Sequence, residues 1–303
     1  MSRAVVYEKF GGPEVLELRE VPEPHAGHGE VRVRVTAAGL NPMDWGLAAR
    51  PEAAARFGIT LPSGFGYDFA GVVDEVGPGV GGTAVGDRVH GGALGRAVAD
   101  FVVLKASDAF FPTPDGISDE VASTLPVAGS AAAAALAAVG LRAGDTLLVG
   151  GAAGGVGIFA VQLARLAGAT VIGTAAEGTF PFLRKLGAEP VTYGPGLAGR
   201  VRELGDITAA TDLFGTETVE AALELGVPPE RISTISVGPN PPGGVRATGG
   251  ADAEPGALAK IADAIAAGRL TVPVAAVFPV EKIRDAVALQ AARHVHGKVV
   301  VTL

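Results

Sequence analysis

The stretch Thr146–Gly157, TLLVGGAAGGVG, decides the fold. Its first four residues form an apolar run of the kind that makes a buried parallel strand. The glycine-rich turn leads into a helical pattern, IFAVQLARLAGA, and then into a second apolar run at Thr170–Ala175. Strand, glycine turn, helix and strand in this order are typical of the βαβ unit that binds a dinucleotide. We therefore predict a cofactor site at this turn.

Small residues suit the turn because backbone N–H groups must approach a pyrophosphate closely, and because the helix N-terminus adds a partial positive charge. A strict GxGxxG pattern is absent, since Ala152 stands where the first glycine would be. A tight turn in any α/β protein is the alternative interpretation of these glycines. The order of the surrounding elements favours the cofactor site. We expect Gly154, Gly155, Val156 and Gly157 to contact the pyrophosphate.

The composition describes a soluble globular protein. Of 303 residues, 48% are hydrophobic and 18% are charged, and this length suggests two domains or one large one. A net charge of −8 argues against a nucleic-acid partner, which needs a clustered basic face. The absence of cysteine excludes disulfides and cysteine-ligated zinc. The N-terminus has no apolar leader segment, so we expect a cytoplasmic protein.

One segment, Val121–Leu141, contains no charged residue and imitates a membrane span. Its bulk is Ala, Ser and Gly, with Pro126 inside. Such a composition gains little free energy from transfer into lipid, which favours Leu, Ile, Phe and Val. We expect a tightly packed helix at a domain junction, and no membrane partner.

The order of elements along the chain predicts the fold class. Short strands separated by glycine turns come first, which indicates a β-rich region. At Ser118 the pattern changes, and strands and helices then alternate as in a doubly wound parallel sheet. A helical stretch and an apolar run, GKVVVTL, end the chain. The predicted fold class is α/β, with a β-rich domain and a Rossmann domain.

Six sequence blocks occur along the chain: AAGLNPMDW (37–45), GYDFAGVV (66–73), VGDRV (85–89), AAGGVG (152–157), FPVEKIRDA (278–286) and HGKVVVTL (296–303). Together they resemble the medium-chain dehydrogenase/reductase superfamily, in its zinc-free, zeta-crystallin-like quinone oxidoreductase branch. The resemblance implies a GroES-like catalytic domain made from both chain ends, 1–118 and 267–303, around a Rossmann domain, 119–266. It also implies an active site in the cleft between the domains.

The same resemblance implies a homodimer. An unpaired edge strand of a sheet tends to be covered by another chain or element. We therefore expect the interface at the edge of the Rossmann sheet, near Ile232–Gly238 and Val245–Thr248.

Zinc-dependent relatives place a Cys where Leu40 or Asn41 falls, and a His–Glu pair where Tyr67 and Asp68 fall. Leu, Asn and Tyr do not form a competent set of zinc ligands. The five histidines lie in loops, in a late turn or at the end of a strand, where a solvated side chain is the simpler interpretation. We therefore predict no metal, catalytic or structural.

The end of the second strand bears on the choice of nucleotide. NAD-specific sheets carry Asp or Glu there, because the carboxylate binds the ribose hydroxyls. Thr174 and Ala175 end the strand in this chain, so the missing charge leaves room for a 2′-phosphate and favours NADPH. Glu177 opposes this prediction, since a carboxylate repels that phosphate unless it faces solvent. Tyr193 corresponds to the family's usual phosphate contact, although an ordinary tyrosine at a strand end explains it equally.

The segment expected beside the nicotinamide departs from the family pattern. Relatives usually read LAGLTAWQAL where this chain has VAGSAAAAAL (127–136). Ala131 replaces a threonine and Ala133 a bulky aromatic residue, which predicts either an enlarged cleft or lost catalysis. The residues expected to contact the nicotinamide are Ala128, Ser130, Ser236, Val237 and Gly238.

Four side chains are candidates for contact with a substrate. Asn41 suits a hydrogen bond to a carbonyl oxygen on which charge develops, or a cap on the turn before Pro42. Tyr67 is a candidate proton donor or a packed strand aromatic. Trp45 and Phe278 suit the walls of a space for a ring, although core aromatics would look the same.

Three functions fit this sequence. The leading one is an NADPH-dependent reductase of a quinone or conjugated ketone, because that reaction needs hydride delivery and takes its protons from water. The second is an enoyl-thioester reductase or polyketide tailoring enzyme, which must also protonate a carbon. The third is a nucleotide-binding protein without catalysis.

Overall fold

The computed structural model describes residues 1–236 and 240–303. The chain forms two compact units, of which the first contains both chain ends. This unit comprises Met1–Val127 and Val274–Leu303, and the second unit comprises Ala128–Pro273.

The boundary between the units differs from the sequence expectation of 118/119. The short helix that follows Ser118 belongs to the first unit, because Thr36 Oγ1 donates a hydrogen bond to the Asp119 carboxylate. A side chain at Gly39 would collide with the carbonyl oxygen of Ser123, so the chain packs closely there as well. These contacts move the boundary past residue 119. The second boundary lies at 273/274, where the expectation was 266/267.

The elements are as follows. The strands are β1 (Ser2–Tyr7), β2 (Glu17–Val21), β3 (Glu30–Leu40), β4 (Ser63–Gly64), β5 (Asp68–Val76), β6 (Arg88–Gly92), β7 (Phe101–Lys105), β8 (Phe110–Pro112), β9 (Thr146–Gly150), β10 (Thr170–Ala175), β11 (Glu189–Thr192), β12 (Ala209–Asp212), β13 (Ile232–Thr234), β14 (Arg246–Ala247), β15 (Val274–Pro279) and β16 (Lys298–Thr302). The α-helices are α1 (Pro42–Ala49), α2 (Pro51–Arg56), α3 (Asp119–Ala122), α4 (Leu125–Ala138), α5 (Gly157–Leu166), α6 (Phe180–Leu186), α7 (Leu197–Leu204), α8 (Glu217–Glu224), α9 (Ala257–Ala266) and α10 (Ile283–Ala291).

The first unit is built on two β-sheets. One has the strand order β2-β1-β4, and the other has the order β15-β16-β3-β5-β6-β8, with β7 also paired to β3. In β3, valine alternates with arginine, so one face of the strand puts Val31, Val33 and Val35 into the core. The last strand, β16, pairs antiparallel with β3. The C-terminal segment therefore completes the sheet of the N-terminal segment, as the sequence predicted.

The second unit contains a parallel sheet of order β11-β10-β9-β12-β13-β14. Counted from β9, this is the order 3-2-1-4-5-6 of dinucleotide-binding sheets. The fully buried Leu147, Leu148 and Val149 explain why β9 reads as a continuous apolar run. β10 and β12 pair with β9 on opposite sides, so the strand order reverses between β9 and β12. In sheets of this kind a crevice opens at the carboxyl ends of the strands at that point.

The uncharged segment at 121–141 is divided between α3, α4 and the turn that follows α4. Its side chains are small and mostly buried, which agrees with the expected close packing. Among the described residues, the helices are all too short or too polar to cross a bilayer.

Candidate cofactor and substrate sites

The glycine loop joins β9 to α5 at the carboxyl edge of the parallel sheet. Gly151 has a φ of +68°, a left-handed conformation that favours glycine. Its N–H donates to Thr174 Oγ1 at 3.0 Å, and the Ala152 N–H donates to the Thr174 carbonyl at 3.3 Å. The end of β10 therefore holds the loop. Thr174, expected at the cofactor, is 4% exposed, and its hydroxyl is engaged with Gly151.

The loop closes tightly on the start of α5. A Cβ added at Gly157 would collide with the carbonyl oxygens of Gly151 and Ala152, so only glycine fits there. The 10-residue α5 begins at Gly157, and Gly154, Gly155 and Val156 are partly exposed just before it. A helix N-terminus presents N–H groups and a partial positive charge to an anion. The residues present therefore fit a pyrophosphate.

Asp212 organises the neighbouring loop, and sequence reasoning missed it. The side chain is 2% exposed at the end of β12. Its Oδ1 accepts hydrogen bonds from the N–H groups of Phe214 at 2.9 Å and Gly215 at 2.8 Å. Its Oδ2 accepts one from the Thr218 N–H at 3.0 Å, in the first turn of α8. An Asp just before a glycine-containing loop is the pattern of an Asx turn, so the signal was present in the sequence.

β10 ends at Ala175, an uncharged residue. Ala175 is 6% exposed, and the exposed Glu177 begins a single helical turn after it. Tyr193, which follows β11, is 58% exposed. Arg200 donates to the carbonyl oxygens of Thr192 at 2.9 Å and of other residues in the same turn, so its guanidinium fixes the turn that carries Tyr193.

The residues expected beside the nicotinamide lie in the second unit. Ala128 is buried in α4, and Ser130 is partly exposed. Ser236 Oγ donates to the Gly215 carbonyl at 2.8 Å, so it ties the end of β13 to the loop after β12. Val237 and Gly238 lie outside the described residues.

Ala133 opens a groove elsewhere in the second unit. The groove has a volume of about 480 Å³ and is lined by Ala133, by Leu163 and Leu166 of α5, and by α9. At a rise of about 1.5 Å per residue, Leu166 lies about 14 Å along α5 from Gly157. The missing aromatic side chain therefore leaves space between helices, not at the glycine loop. The enlarged cleft or lost catalysis that the sequence suggests from Ala131 and Ala133 stays a prediction.

The first unit contains a buried polar cluster around Asn41. Asn41 Nδ2 donates to Asp68 Oδ2 at 2.8 Å, and its Oδ1 accepts a hydrogen bond from Lys298 Nζ at 2.6 Å. Lys298 Nζ also donates to the Leu40 carbonyl at 3.2 Å. Asn41, Asp68 and Lys298 are at most 2% exposed. Both ends of the Asn41 amide are therefore engaged inside the protein.

Asp44 takes part in a capping box at the start of α1. Asp44 Oδ2 accepts a hydrogen bond from the Asn41 N–H at 2.7 Å, and the Tyr67 N–H also donates to this carboxylate. The sequence left the choice between a substrate contact and a turn cap open for Asn41. The structure gives its side chain a third role, as the bridge between Asp68 and Lys298.

Burial governs the charges of this cluster. It raises the pKa of Asp44 to about 8, with further repulsion from Asp68, and it raises the pKa of Asp68 to about 7 against the pull of Lys298. Burial also lowers the pKa of Lys298, while the two carboxylates oppose that change. Asp44 is therefore mainly protonated at neutral pH, and the ammonium group compensates the charge of Asp68.

Sequence reasoning did not assign roles to Asp44, Asp68 and Lys298. These residues lie in the blocks NPMDW, GYD and HGK, and the three blocks alone do not show that the residues contact one another. Lys298 and Asn41 are 257 residues apart in the chain and meet only because β16 pairs with β3.

Tyr67 lies beside the cluster. Its ring packs so closely on Gly92 that a Cβ added there would overlap the ring. Burial, with the charge of Asp68, raises the pKa of the Tyr67 phenol. The phenol therefore keeps its proton through the physiological range, and the side chain is only partly buried.

Trp45 and Phe278 pack against the same hydrophobic core of the first unit and remain partly exposed. Trp45 Nε1 donates to Gln290 Oε1 at 3.0 Å, and Gln290 Nε2 donates to the Leu40 carbonyl at 2.6 Å. Gln290 therefore fixes the indole in the same region as the Asn41 cluster.

Within residues 1–236 and 240–303, no three His, Asp or Glu side chains are grouped so that they could hold a metal ion. His90 is buried in β6, where its Nδ1 lies 3.1 Å from Thr113 Oγ1.

Two family models match parts of this chain. Residues 27–115 match the family described as the alcohol dehydrogenase GroES-like domain, and residues 186–301 match the family described as zinc-binding dehydrogenase. A quinone oxidoreductase of Pseudomonas aeruginosa is 38% identical over 241 residues, which cover 75% of this chain and 71% of the relative.

Solved structures are similar over the whole chain. The quinone oxidoreductase of Coxiella burnetii has a TM-score of 0.88 at 29% identity and covers 100% of this chain and 99% of its own. A mycobacterial protein solved in complex with NADPH has a TM-score of 0.87 at 30% identity, with 100% of both chains covered.

A β-rich unit from both chain ends and a parallel sheet with a glycine loop define the class of medium-chain dehydrogenases and reductases. Within this class, the chain belongs to the quinone oxidoreductase family.

Proposed function

We propose that this protein is an NADPH-dependent reductase of quinones or conjugated ketones. The observation that carries the proposal is the glycine loop before α5. The loop can close on the N-terminus of α5 only because residue 157 is glycine. Membership of the quinone oxidoreductase family supplies the reaction type. The bound nicotinamide supplies a hydride to the substrate.

NADPH is the proposed nucleotide. Ala175 leaves the end of β10 without a carboxylate, and the exposed Tyr193 is available to a 2′-phosphate. The mycobacterial protein of similar fold was solved with NADPH. Glu177 is exposed, so water screens its charge from the phosphate position.

In the second unit, the chain's own groups bind and orient the nucleotide. Gly154, Gly155 and Val156 offer small residues before the positive end of α5, and the hydrogen bonds from Gly151 and Ala152 to Thr174 hold the loop in place. We assign Ala128, Ser130 and Ser236 to the nicotinamide side. A preformed loop of this kind lowers the cost of ordering the chain when the nucleotide binds.

In the first unit, we propose that Tyr67 contacts the substrate and that Asn41 acts as a positioning residue. Asn41 holds Lys298 and Asp68 at 2.6 and 2.8 Å, which fixes a positive charge in a buried environment. Such a charge stabilises negative charge that develops on a nearby substrate oxygen. Trp45 and Phe278 are proposed to border the quinone ring. Protons for the reduced oxygens come from water, so no dedicated acid is required.

We further propose that catalysis needs no zinc. Leu40, Asn41 and Tyr67 stand where zinc-dependent relatives have ligands, and an amide oxygen that already binds an ammonium group is a poor metal ligand. Protein washed with a chelator should keep its activity and contain no stoichiometric zinc. Zinc at one atom per chain, together with loss of activity after its removal, would contradict this proposal.

The function itself is tested by following nicotinamide absorbance with quinones, enones and enoyl thioesters, and by titrating NADPH and NADH. We expect turnover with quinones or enones and tighter binding of NADPH. Tighter NADH binding would mean that Glu177 binds the ribose. Reduction of enoyl thioesters alone, or nucleotide binding without turnover, would contradict the proposed activity.

We also propose a cytoplasmic homodimer. The edge of the parallel sheet is the exposed strand β14, whose residues Arg246 and Ala247 are both solvent-accessible. Edge strands are usually covered, and a second copy of the same strand is a suitable cover. The cytoplasm holds the reduced nucleotide that the proposed reaction consumes.

A further inference from the structure

Phe214 is an aromatic side chain at the crevice that the glycine loop borders. It lies two residues after the end of β12 and is 60% exposed. A single exposed apolar residue is ordinary on a protein surface. The position and support of this one make it different.

The loop that carries Phe214 is fixed on several sides. Asp212 Oδ1 accepts the Phe214 N–H at 2.9 Å and the Gly215 N–H at 2.8 Å. Ser236 Oγ donates to the Gly215 carbonyl at 2.8 Å, and the Leu213 N–H donates to the Gly150 carbonyl at 3.2 Å. The backbone at Phe214 is therefore held in one place before any ligand binds.

Phe214 also lies directly beside the glycine loop. A Cβ added at Gly151 would come within 3.0 Å of Phe214 Cβ. The register of the sheet explains this contact, because Asp212 of β12 pairs with Gly150 of β9. The Phe214 side chain therefore begins next to the loop that we assign to the pyrophosphate.

The strand order determines which half of a dinucleotide Phe214 meets. In sheets of this topology the ribose beside the adenine lies at the end of the second strand, which is β10 here. β10 and β12 flank β9 on opposite sides. A dinucleotide whose pyrophosphate lies at α5 therefore extends its other half toward the β12 side.

We propose that the Phe214 ring packs against the nicotinamide ring of the cofactor and helps to position it. This inference rests on the proposed NADPH function. Contact between an aromatic side chain and a ring is favourable and directional, so it both adds affinity and restricts the ring's orientation.

The test compares binding of NADPH with binding of 2′-phospho-ADP-ribose, which lacks the nicotinamide ring. Dissociation constants are measured by fluorescence titration and calorimetry for the wild type, Phe214→Ala and Phe214→Tyr. Phe57→Ala is the matched control, because Phe57 is 53% exposed at the end of α2 in the first unit. Melting temperatures show that each variant is folded.

We expect Phe214→Ala to weaken NADPH binding roughly fivefold or more and to leave binding of 2′-phospho-ADP-ribose unchanged. Phe214→Tyr and Phe57→Ala should bind both nucleotides like the wild type. Equal loss for both nucleotides, or no loss for NADPH, would overturn the inference while the NADPH function stands. Failure of the wild type to bind NADPH would instead overturn the proposed function itself.

Discussion

At the residue scale, one buried ammonium group compensates the Asp68 carboxylate, and Asp44 beside it is mainly protonated at neutral pH. Lys298 is 2% exposed, and its Nζ is held by Asn41 Oδ1 and the Leu40 carbonyl. Asp68 is fully buried, and Asp44 is 6% exposed. Charges removed from water in this way are tolerated only when they are paired and hydrogen-bonded. The stability of the cluster therefore depends on each member.

Substitution Lys298→Met should lower the free energy of unfolding by about 3–5 kcal/mol, because it leaves the buried Asp68 carboxylate without compensation. Urea unfolding measures this loss. Lys282→Met is the matched control, since Lys282 is 64% exposed and its pair with Asp285 spans 3.7 Å. The control should change stability by about 0.5 kcal/mol or less.

The effect of Lys298→Met should also depend on pH. The folded-state pKa values of Asp44 and Asp68, about 8 and 7, lie above the ordinary value of 3.8. Stability from their protonated forms is therefore complete in acid and is lost as pH rises through the folded pKa values. Without the ammonium group both pKa values rise further, so the variant should lose more stability than the wild type between about pH 6 and about pH 8. If both proteins lost the same free energy of unfolding between these two pH values, the result would contradict this account of the cluster.

At the element scale, single residues matter in two elements. Gly157 matters in the turn between β9 and α5, and His90 matters in β6. Gly157 packs against the backbone of Gly151 and Ala152. In β6, His90 is 1% exposed, and its Nε2 has no hydrogen-bond partner among the described groups. The first constraint serves the nucleotide site, and the second one makes stability sensitive to acid.

Gly157→Val should weaken NADPH binding by at least about tenfold, because the added side chain must displace the loop that forms the cradle. Isothermal calorimetry measures the affinity. Gly199→Val is the control, since Gly199 lies inside α7 with open space around its Cα. Normal affinity in folded Gly157→Val protein would show that the loop does not form the pyrophosphate site.

Acid should destabilise the protein through His90. Burial lowers the pKa of His90 to about 4, from 6.5 in the unfolded chain. A depressed folded pKa means that the stabilisation is complete above the unfolded pKa and is lost as pH falls toward the folded value. The wild type should therefore lose about 2 kcal/mol more than His90→Asn between about pH 7.5 and about pH 5. Parallel pH profiles for the two proteins in urea unfolding would contradict this prediction.

At the scale of the whole molecule, residues from both chain ends form one unit, and the segment between them in sequence forms the parallel sheet of the other. Val5 and Leu16 share a hydrophobic core with Ile283 and Val301. Pairing of β16 with β3 closes this unit. The first unit therefore depends on the last thirty or so residues, and the second unit carries an open sheet edge at β14.

Substitution Ala247→Pro should convert the proposed dimer into a monomer. The Thr248 N–H donates to the Thr234 carbonyl of β13 at 3.0 Å, so the Ala247 N–H faces the open edge. Proline removes that donor and leaves the pairing with β13 intact. Sedimentation should give 30.2 kDa for the variant and twice that mass for the wild type and for Ala247→Ser. A monomeric wild type would contradict the dimer, and a dimeric Ala247→Pro variant would exclude this edge.

Much of the architecture could be predicted from the sequence, because its signals are local. The glycines at 154, 155 and 157 and the apolar run before them identify the first βαβ unit without any distant contact. The cluster of Asp44, Asp68 and Lys298 could not be predicted, since its members meet only through β3–β16 pairing and packing. One helix sequence likewise does not show which neighbours its small side chains face, and Ala133 lines a groove together with residues of α5 and α9.

The most direct test of the central claim is anaerobic rapid mixing of the protein with NADPH and a simple quinone. The loss of nicotinamide absorbance and the appearance of the hydroquinone are followed together. We predict equal amounts of NADPH consumed and hydroquinone formed, at a rate proportional to protein concentration and lower with NADH. Bound NADPH that stays reduced in the presence of quinones and enones would contradict the account.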